Sequence, residues 1–179
     1  MTKYKKGFTL VELLVVMAIL GVLVSLVAGN FRLSQIRGKD AQRKSDLKQI
    51  ATALELFYGD YGYYPTGEDG YIMACFFEDG VGGSRCDWGI ENEFKDVFPG
   101  TVSPRTIYLK NVPSDPSSNF EYYYRTLDNG QKFQIFATLE NPEDQNCLGG
   151  DCSASPVDYE CGDATCNFAI TSTNTSYSE

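Results

Sequence analysis

Lys5-Lys6-Gly7-Phe8-Thr9-Leu10-Val11-Glu12-Leu13 opens the stretch on which the reading of this chain turns: a short basic head runs into an apolar segment, residues 8–31, with one carboxylate inside it. Only Thr9, Glu12, Ser25 and Asn30 interrupt that segment with polar side chains. As a helix its 24 residues extend about 36 Å, enough to cross a hydrocarbon core of about 30 Å with some tilt. A cleaved secretory signal is shorter and carries no acid in its apolar core. A plain membrane anchor accounts for the length but leaves Glu12 unexplained, because a lone charge near the bilayer centre costs about 2.5–3.5 kcal/mol even on mild insertion scales. A buried core helix would need more protein around it than the rest of the chain supplies. Glu12 therefore calls for a partner.

This stretch resembles the signal of type IV pilins and of the related pseudopilins of type II secretion: a basic leader, Gly at the cut, Phe as the new first residue and Glu four residues later. The resemblance implies cleavage by a prepilin peptidase between Gly7 and Phe8 and N-methylation of Phe8. It also implies an assembly role for Glu12, meeting the N-terminal amine of a neighbouring subunit. The freed amine and the carboxylate are each expensive to bury alone and much less so as a pair. At four residues' separation a contact within one helix is also open.

The implied partners are other copies of the chain in a helical filament, the peptidase, the membrane, an inner-membrane assembly platform and, through it, a cytoplasmic ATPase. The implied localisation is a single-pass membrane protein with its N-terminus in the cytoplasm and its head outside, then an extracytoplasmic filament.

Charge is distributed unevenly along the 179 residues, which carry 15 basic and 24 acidic side chains and no His. Residues 32–61 hold six basic and four acidic side chains, whereas residues 62–179 hold six and 19. So acidic a head argues against phosphate-backbone binding, and no nucleic acid is expected there. All six Cys lie beyond Tyr71, which reads as disulfides in an oxidising compartment. One count disagrees with an outside head. Three Lys precede the apolar run and six Lys or Arg follow it closely, the reverse of the usual cytoplasmic bias. The leader and the Cys distribution favour the outside orientation.

Past Asn30 the pattern turns amphipathic without a break. Leu47, Ile50, Ala51, Leu54, Phe57, Tyr58 and Tyr61 recur at three- and four-residue steps. One helix over 8–61 would extend about 80 Å. Gly21, Gly29 and Gly38 each weaken it by about 1 kcal/mol, and Gly29 is a place where it can loosen. Gly62 ends the helix at positive φ and Pro65 blocks its resumption. The run from Lys44 to Tyr63-Tyr64-Pro65 is similar to the helix end of major pseudopilins and Gram-positive-type pilins. Tyr108-Leu-Lys-Asn-Val-Pro-Ser-Asp-Pro116 is similar to the turn that leads into the pseudopilin sheet, although Ser117-Ser118-Asn119 replaces the Trp-Gly-Asn that often follows.

The expected fold is α+β, a long helix packed on a small antiparallel sheet as in type IV pilins. The expected organisation is a leader over 1–7, a transmembrane and polymerisation helix over 8–31, its amphipathic continuation over 32–64 and a globular head over 65–179. Asp128-Asn129-Gly130 predicts a hairpin between strands over 120–125 and 132–139, with a third strand over 167–172. Phe133, Ile135 and Ala137 fall on one face of the second strand and Gln134, Phe136 and Thr138 on the other. Residues 67–104 read as a loop region with a short helix near 91–97.

Six Cys allow 15 pairings. Cys75 with Cys86 is favoured; Cys147, Cys152, Cys161 and Cys166 form either two local loops or a nested pair, and a four-thiolate zinc site has compatible spacing. The resemblance also raises calcium, for which Asp144, Asp151 and Asp163, with Glu143 and Asp158, are candidate oxygen ligands. No catalytic set is found: there is no His, no Gly-x-Ser-x-Gly elbow and no phosphate loop. The reading is a structural subunit of a type IV pilus or type II secretion pseudopilus. Its rival is a membrane-anchored, adhesin-like or calcium-binding minor pilin that does not form the bulk of a fibre.

Overall fold

The computed structural model describes residues 7–75, 84–89, 93–95 and 106–179, with the backbone alone over 26–30. It is built on helix α1 (Leu10–Tyr61), 52 residues long and so about 78 Å at 1.5 Å per residue. Thr9 sets the start. Its extended backbone places the hydroxyl to accept from the Glu12 N–H while the Glu12 carboxylate accepts from the Thr9 N–H, a reciprocal capping box. Gly62 sets the end, at φ 74°, with its N–H donating to the Tyr58 carbonyl at 2.7 Å.

The two halves of α1 meet different surroundings. Over 10–25 every side chain is exposed. From Asp40 onward one face is buried, with Leu47, Ile50, Ala53, Leu54 and Phe57 at 2% exposure or less. Their spacing keeps them on a single stripe of the helix, which seats the head.

Among the described residues two antiparallel sheets pack on that stripe. The first holds β1 (Gly67–Glu68), β2 (Tyr71–Cys75), β3 (Ser84–Cys86), β4 (Phe94–Lys95) and β5 (Ile107–Leu109), in the order β1-β2-β4-β5 with β3 also paired to β2. The described residues of 67–104 thus carry short strands where composition suggested a loop region. Short strands broken by Gly and acidic residues leave too little alternation to read. Of the helix expected near 91–97, residues 91–92 and 96–97 lie outside the described residues, and Phe94–Lys95 are strand, pairing with Cys75 and Leu109.

The second sheet holds β6 (Tyr123–Leu127), β7 (Lys132–Ala137) and β8 (Phe168–Thr171), in that order. Asp128, Asn129 and Gly130 all take positive φ between β6 and β7, as the turn sequence requires. The expected strands shift or shorten by two or three residues: β6 starts at Tyr123 rather than Phe120, and β7 stops at Ala137. The hairpin tip docks on the helix end, where Tyr64 N–H donates to the Gly130 carbonyl at 2.7 Å. A Cβ at Gly130 would meet the Tyr64 carbonyl oxygen at 3.0 Å.

Both faces of β7 are buried. Phe133 and Ile135 belong to the main core against α1, while Phe136 joins Leu148, Val157, Cys161 and Cys166 in a second core beneath the Cys-rich segment. Asn167 fastens that segment: its side chain donates to the Leu139 and Cys152 carbonyls and accepts from the Leu139 N–H. Gln134, on the face it shares with Phe136 and Thr138, is fully buried with its amide donating to the Ser176 carbonyl.

Candidate functional site

Glu12 stands one turn into α1. Its Oε2 accepts from the Thr9 N–H at 2.9 Å and from the Thr9 hydroxyl at 2.8 Å, and its own N–H donates to Thr9 Oγ1 at 3.3 Å. No described residue engages the second oxygen, Oε1. The positive end of the helix dipole favours an anion here. Gly7 and Phe8 precede the cap in irregular backbone, and the Phe8 ring is 85% exposed. The Phe8 nitrogen is one residue from the Thr9 N–H that Glu12 holds, so an amine freed at Phe8 would lie beside an already placed carboxylate. Leu10, Val11, Leu13, Leu14 and the apolar side chains up to Val24 are open around it. Among the described residues no helix is long and apolar enough to cross a membrane. The described side chains of the apolar run end at Ser25, and the helix backbone continues through 26–30.

Where α1 reaches the head, a buried ionic cluster fixes it. Arg43, with no exposed surface, donates from Nε to Asp115 Oδ2 at 2.7 Å and from Nη2 to Asp115 Oδ1 at 2.8 Å. It also donates to Asp40 and to Glu140, each at 2.7 Å, and to Ser117 at 3.0 Å. Asp40 in turn accepts the Glu140 and Asn141 N–H groups at 2.9 and 2.8 Å. Burial by itself would lower the pKa of Arg43, but its bonds to Asp115, Glu140 and Asp40 outweigh this and raise it. Burial likewise opposes ionisation of Glu140, yet Arg43 holds that carboxyl below its usual range. Nearby, Asp46 accepts the Tyr122 hydroxyl at 2.9 Å. Burial pushes its carboxyl upward against that bond.

Sequence reasoning missed this cluster. It counted Arg43 among the cations flanking the membrane and took Asp115 only as part of a turn motif. The signal was there: an Arg three residues after an Asp on the apolar stripe of an amphipathic helix has to be paired when that stripe is buried.

Six Cys form three pairs: Cys75–Cys86, Cys147–Cys152 and Cys161–Cys166, with Cα separations of 4.9, 5.1 and 5.1 Å. Of the arrangements open for the last four, the structure has the two local loops, not the nested pair, and no thiol is left for a four-thiolate zinc site. The acidic candidates for calcium are dispersed into separate local contacts. Asp144 bonds Lys44 and the Asn146 N–H, Asp151 accepts from Ser153, and Asp163 accepts from the Asn119 amide. Exposed Glu143 lies 3.6 Å from Arg37, and Asp158 is exposed. Among the described residues no group of three or more His, Cys, Asp or Glu side chains is placed to share a metal ion.

Comparison with known proteins bears on the same features. The family described as "Prokaryotic N-terminal methylation motif" matches residues 2–28. The type II secretion system core protein G of Aeromonas hydrophila is 38% identical over 139 residues, covering 74% of this chain and 81% of that protein. Its counterpart from Pseudomonas aeruginosa is 37% identical over 135 residues, covering 75% and 83%. The type IV major pilin protein PilA of Myxococcus xanthus is 39% identical over 59 residues, 33% of this chain but only 27% of that pilin. No solved structure matches.

Proposed function

Since this chain belongs to the family of type IV pilins and type II secretion pseudopilins, we propose that it is a structural filament subunit of the pseudopilus type, cut after Gly7, methylated at Phe8 and polymerised through α1. The observation that carries this reading is an apolar helix half, exposed on every side and holding one carboxylate already fixed by Thr9, continuous with a helix half that is bolted to a folded head. An apolar surface of that extent in a soluble monomer would drive aggregation. In a bilayer or against other copies of itself it is covered. The relatives that align with about three quarters of the chain are type II secretion core proteins, which favours the pseudopilus over the pilus.

In this scheme the peptidase meets the basic leader on the cytoplasmic side, and the head, with its three disulfides, is held outside. Cleavage converts the Phe8 amide into a cationic amine next to Glu12. Oε1 of Glu12, which no described residue uses, is then the group open to the amine of an incoming copy.

The test is mass spectrometry of the mature protein with electron microscopy of its assemblies. A first residue of N-methylated Phe8, together with filaments of the intact chain, is expected. A mature chain that retains Lys5 and Lys6 would overturn the processing scheme, and a processed chain that stays monomeric would overturn the filament role.

A further inference from the structure

Between Glu12 and Asp40 the chain carries no acid, and every charge there is positive: Arg32, Arg37 and Lys39. Arg32 and Arg37 are exposed. At 100° per residue Arg32 and Lys39 leave the helix within about 20° of each other and Arg37 about 140° from Arg32, so the three form a two-sided cationic collar on the neck just below the head. This collar is the feature that runs against the usual charge bias for an outside head. Arg32 has no ion pair among the described residues, and Arg37 has one exposed contact, at 3.6 Å, with Glu143. Lys39 reaches the head's lower edge, donating to Ser117 at 3.0 Å.

That lower edge is acidic. Phe120, which packs under the Arg43 guanidinium at 5.2 Å, bridges to Gly162, and the Glu121 N–H donates to the Cys161 carbonyl. These contacts bring exposed Glu121, Glu160 and Asp163 onto one edge, with exposed Asp158 two residues before Glu160 in the chain. None of the four has an ion pair among the described residues. The nearby cations are occupied elsewhere: Arg85 pairs with Asp87 over the Tyr71 ring, and Arg125 lies over the Tyr159 ring.

We propose that the cationic collar of one copy is the docking surface for the acidic lower head edge, Glu121, Asp158, Glu160 and Asp163, of a neighbouring copy. The inference rests on the filament reading. Heads this acidic repel one another when crowded along a fibre, and copies that share one axis need a cationic surface at the height of the head edge. Lys39 already marks that height, and Arg32 lies about 10 Å below it along the helix, so a modest axial stagger between neighbours brings edge and collar level. The cations retained outside the membrane then have a use that topology alone does not give them.

The test reverses each surface and then both in the full-length chain. Asp158→Lys with Glu160→Lys, or Arg32→Glu with Arg37→Glu, is expected to cut filament yield by about tenfold or more, since like charges then face each other. All four changes in one chain rebuild the pair with opposite sign and are expected to restore yield to within about twofold. All four residues are exposed, so the melting temperature of each variant serves as the folding control. A photo-crosslinker at position 160 is expected to join residues 31–39 of another copy.

Normal filaments from either double variant would overturn the docking surface while leaving the filament reading intact. So would a collar variant that loses only its binding to anionic phosphatidylglycerol vesicles. A wild-type chain that forms no filaments would overturn both.

Discussion

Replacing Arg43 by Met keeps an unbranched apolar stem and removes the guanidinium, with its charge and all its donors. Asp40 retains two backbone N–H bonds, and Asp115 keeps one, from the Ser117 N–H at 2.8 Å. Asp115 Oδ2 loses the Nε donor at 2.7 Å, and Glu140 loses its guanidinium partner. Both Asp115 and Asp40 then remain as carboxylates that water barely reaches. Breaking a buried pair from one side costs about 3–5 kcal/mol. For a chain of this size that lowers the melting temperature by roughly 6–20 °C. The full chain in detergent, disulfides intact, followed by circular dichroism in a thermal ramp, reads the effect. Adding Asp115→Asn to the Met variant removes one stranded charge, so the double variant should recover part of the loss. A loss under about 1 kcal/mol, or a double variant worse than the sum of its parts, would refute the view that this cluster bolts α1 to the head.

Other outcomes follow from the same geometry. Asp46→Asn should raise stability at neutral pH: burial lifts the folded pKa of Asp46, so its contribution is present in acid and is lost as pH rises through the folded value, and a neutral acceptor for Tyr122 escapes that loss; a melting temperature that falls at neutral pH would contradict it. Glu140 and Asp144 have the opposite sign. Both are held below their ordinary values despite opposing burial, so their contribution is present above the ordinary carboxylate range and is lost as pH falls through the folded values; urea midpoints measured from neutral to acidic pH should decline there, less steeply in Glu140→Gln. Gly162→Ala should cost more than Gly62→Ala. Both have positive φ, worth about 1 kcal/mol, but a Cβ at Gly162 meets the Asn119 carbonyl oxygen at 2.5 Å whereas Gly62 faces open space, and equal losses in urea titration would count against the described packing. Replacing Cys161 and Cys166 together by Ala should cost about 2 kcal/mol from the five-residue closure, read as a shift in urea midpoint.

What could be read from the sequence and what could not divide along physical lines. The helix was legible because its apolar stripe is periodic and its end carries its own chemistry, Gly62 with Pro65; its start was set two residues early, at Phe8, because the Thr9–Glu12 capping box went unread. The hairpin was legible because Asp128-Asn129-Gly130 tolerates three successive left-handed residues. The first sheet was not: β1, β3, β4 and β5 are two or three residues long, below the length at which alternation shows. The burial of Gln134 and Phe136 was also hidden, since the cover over their face comes from Leu148, Val157 and the Cys161–Cys166 loop, partners separated in sequence and fixed only by the fold. The Arg43 cluster joins residues 40, 43, 115 and 140, and no local pattern announces such a meeting.

The central claim is that Glu12 serves assembly and not folding or insertion. The direct measurement is filament yield from Glu12→Ala, scored beside membrane insertion, cleavage after Gly7 and the melting temperature of the head. Loss of filaments with the other three unchanged is the predicted result, and normal filaments from that variant would contradict it.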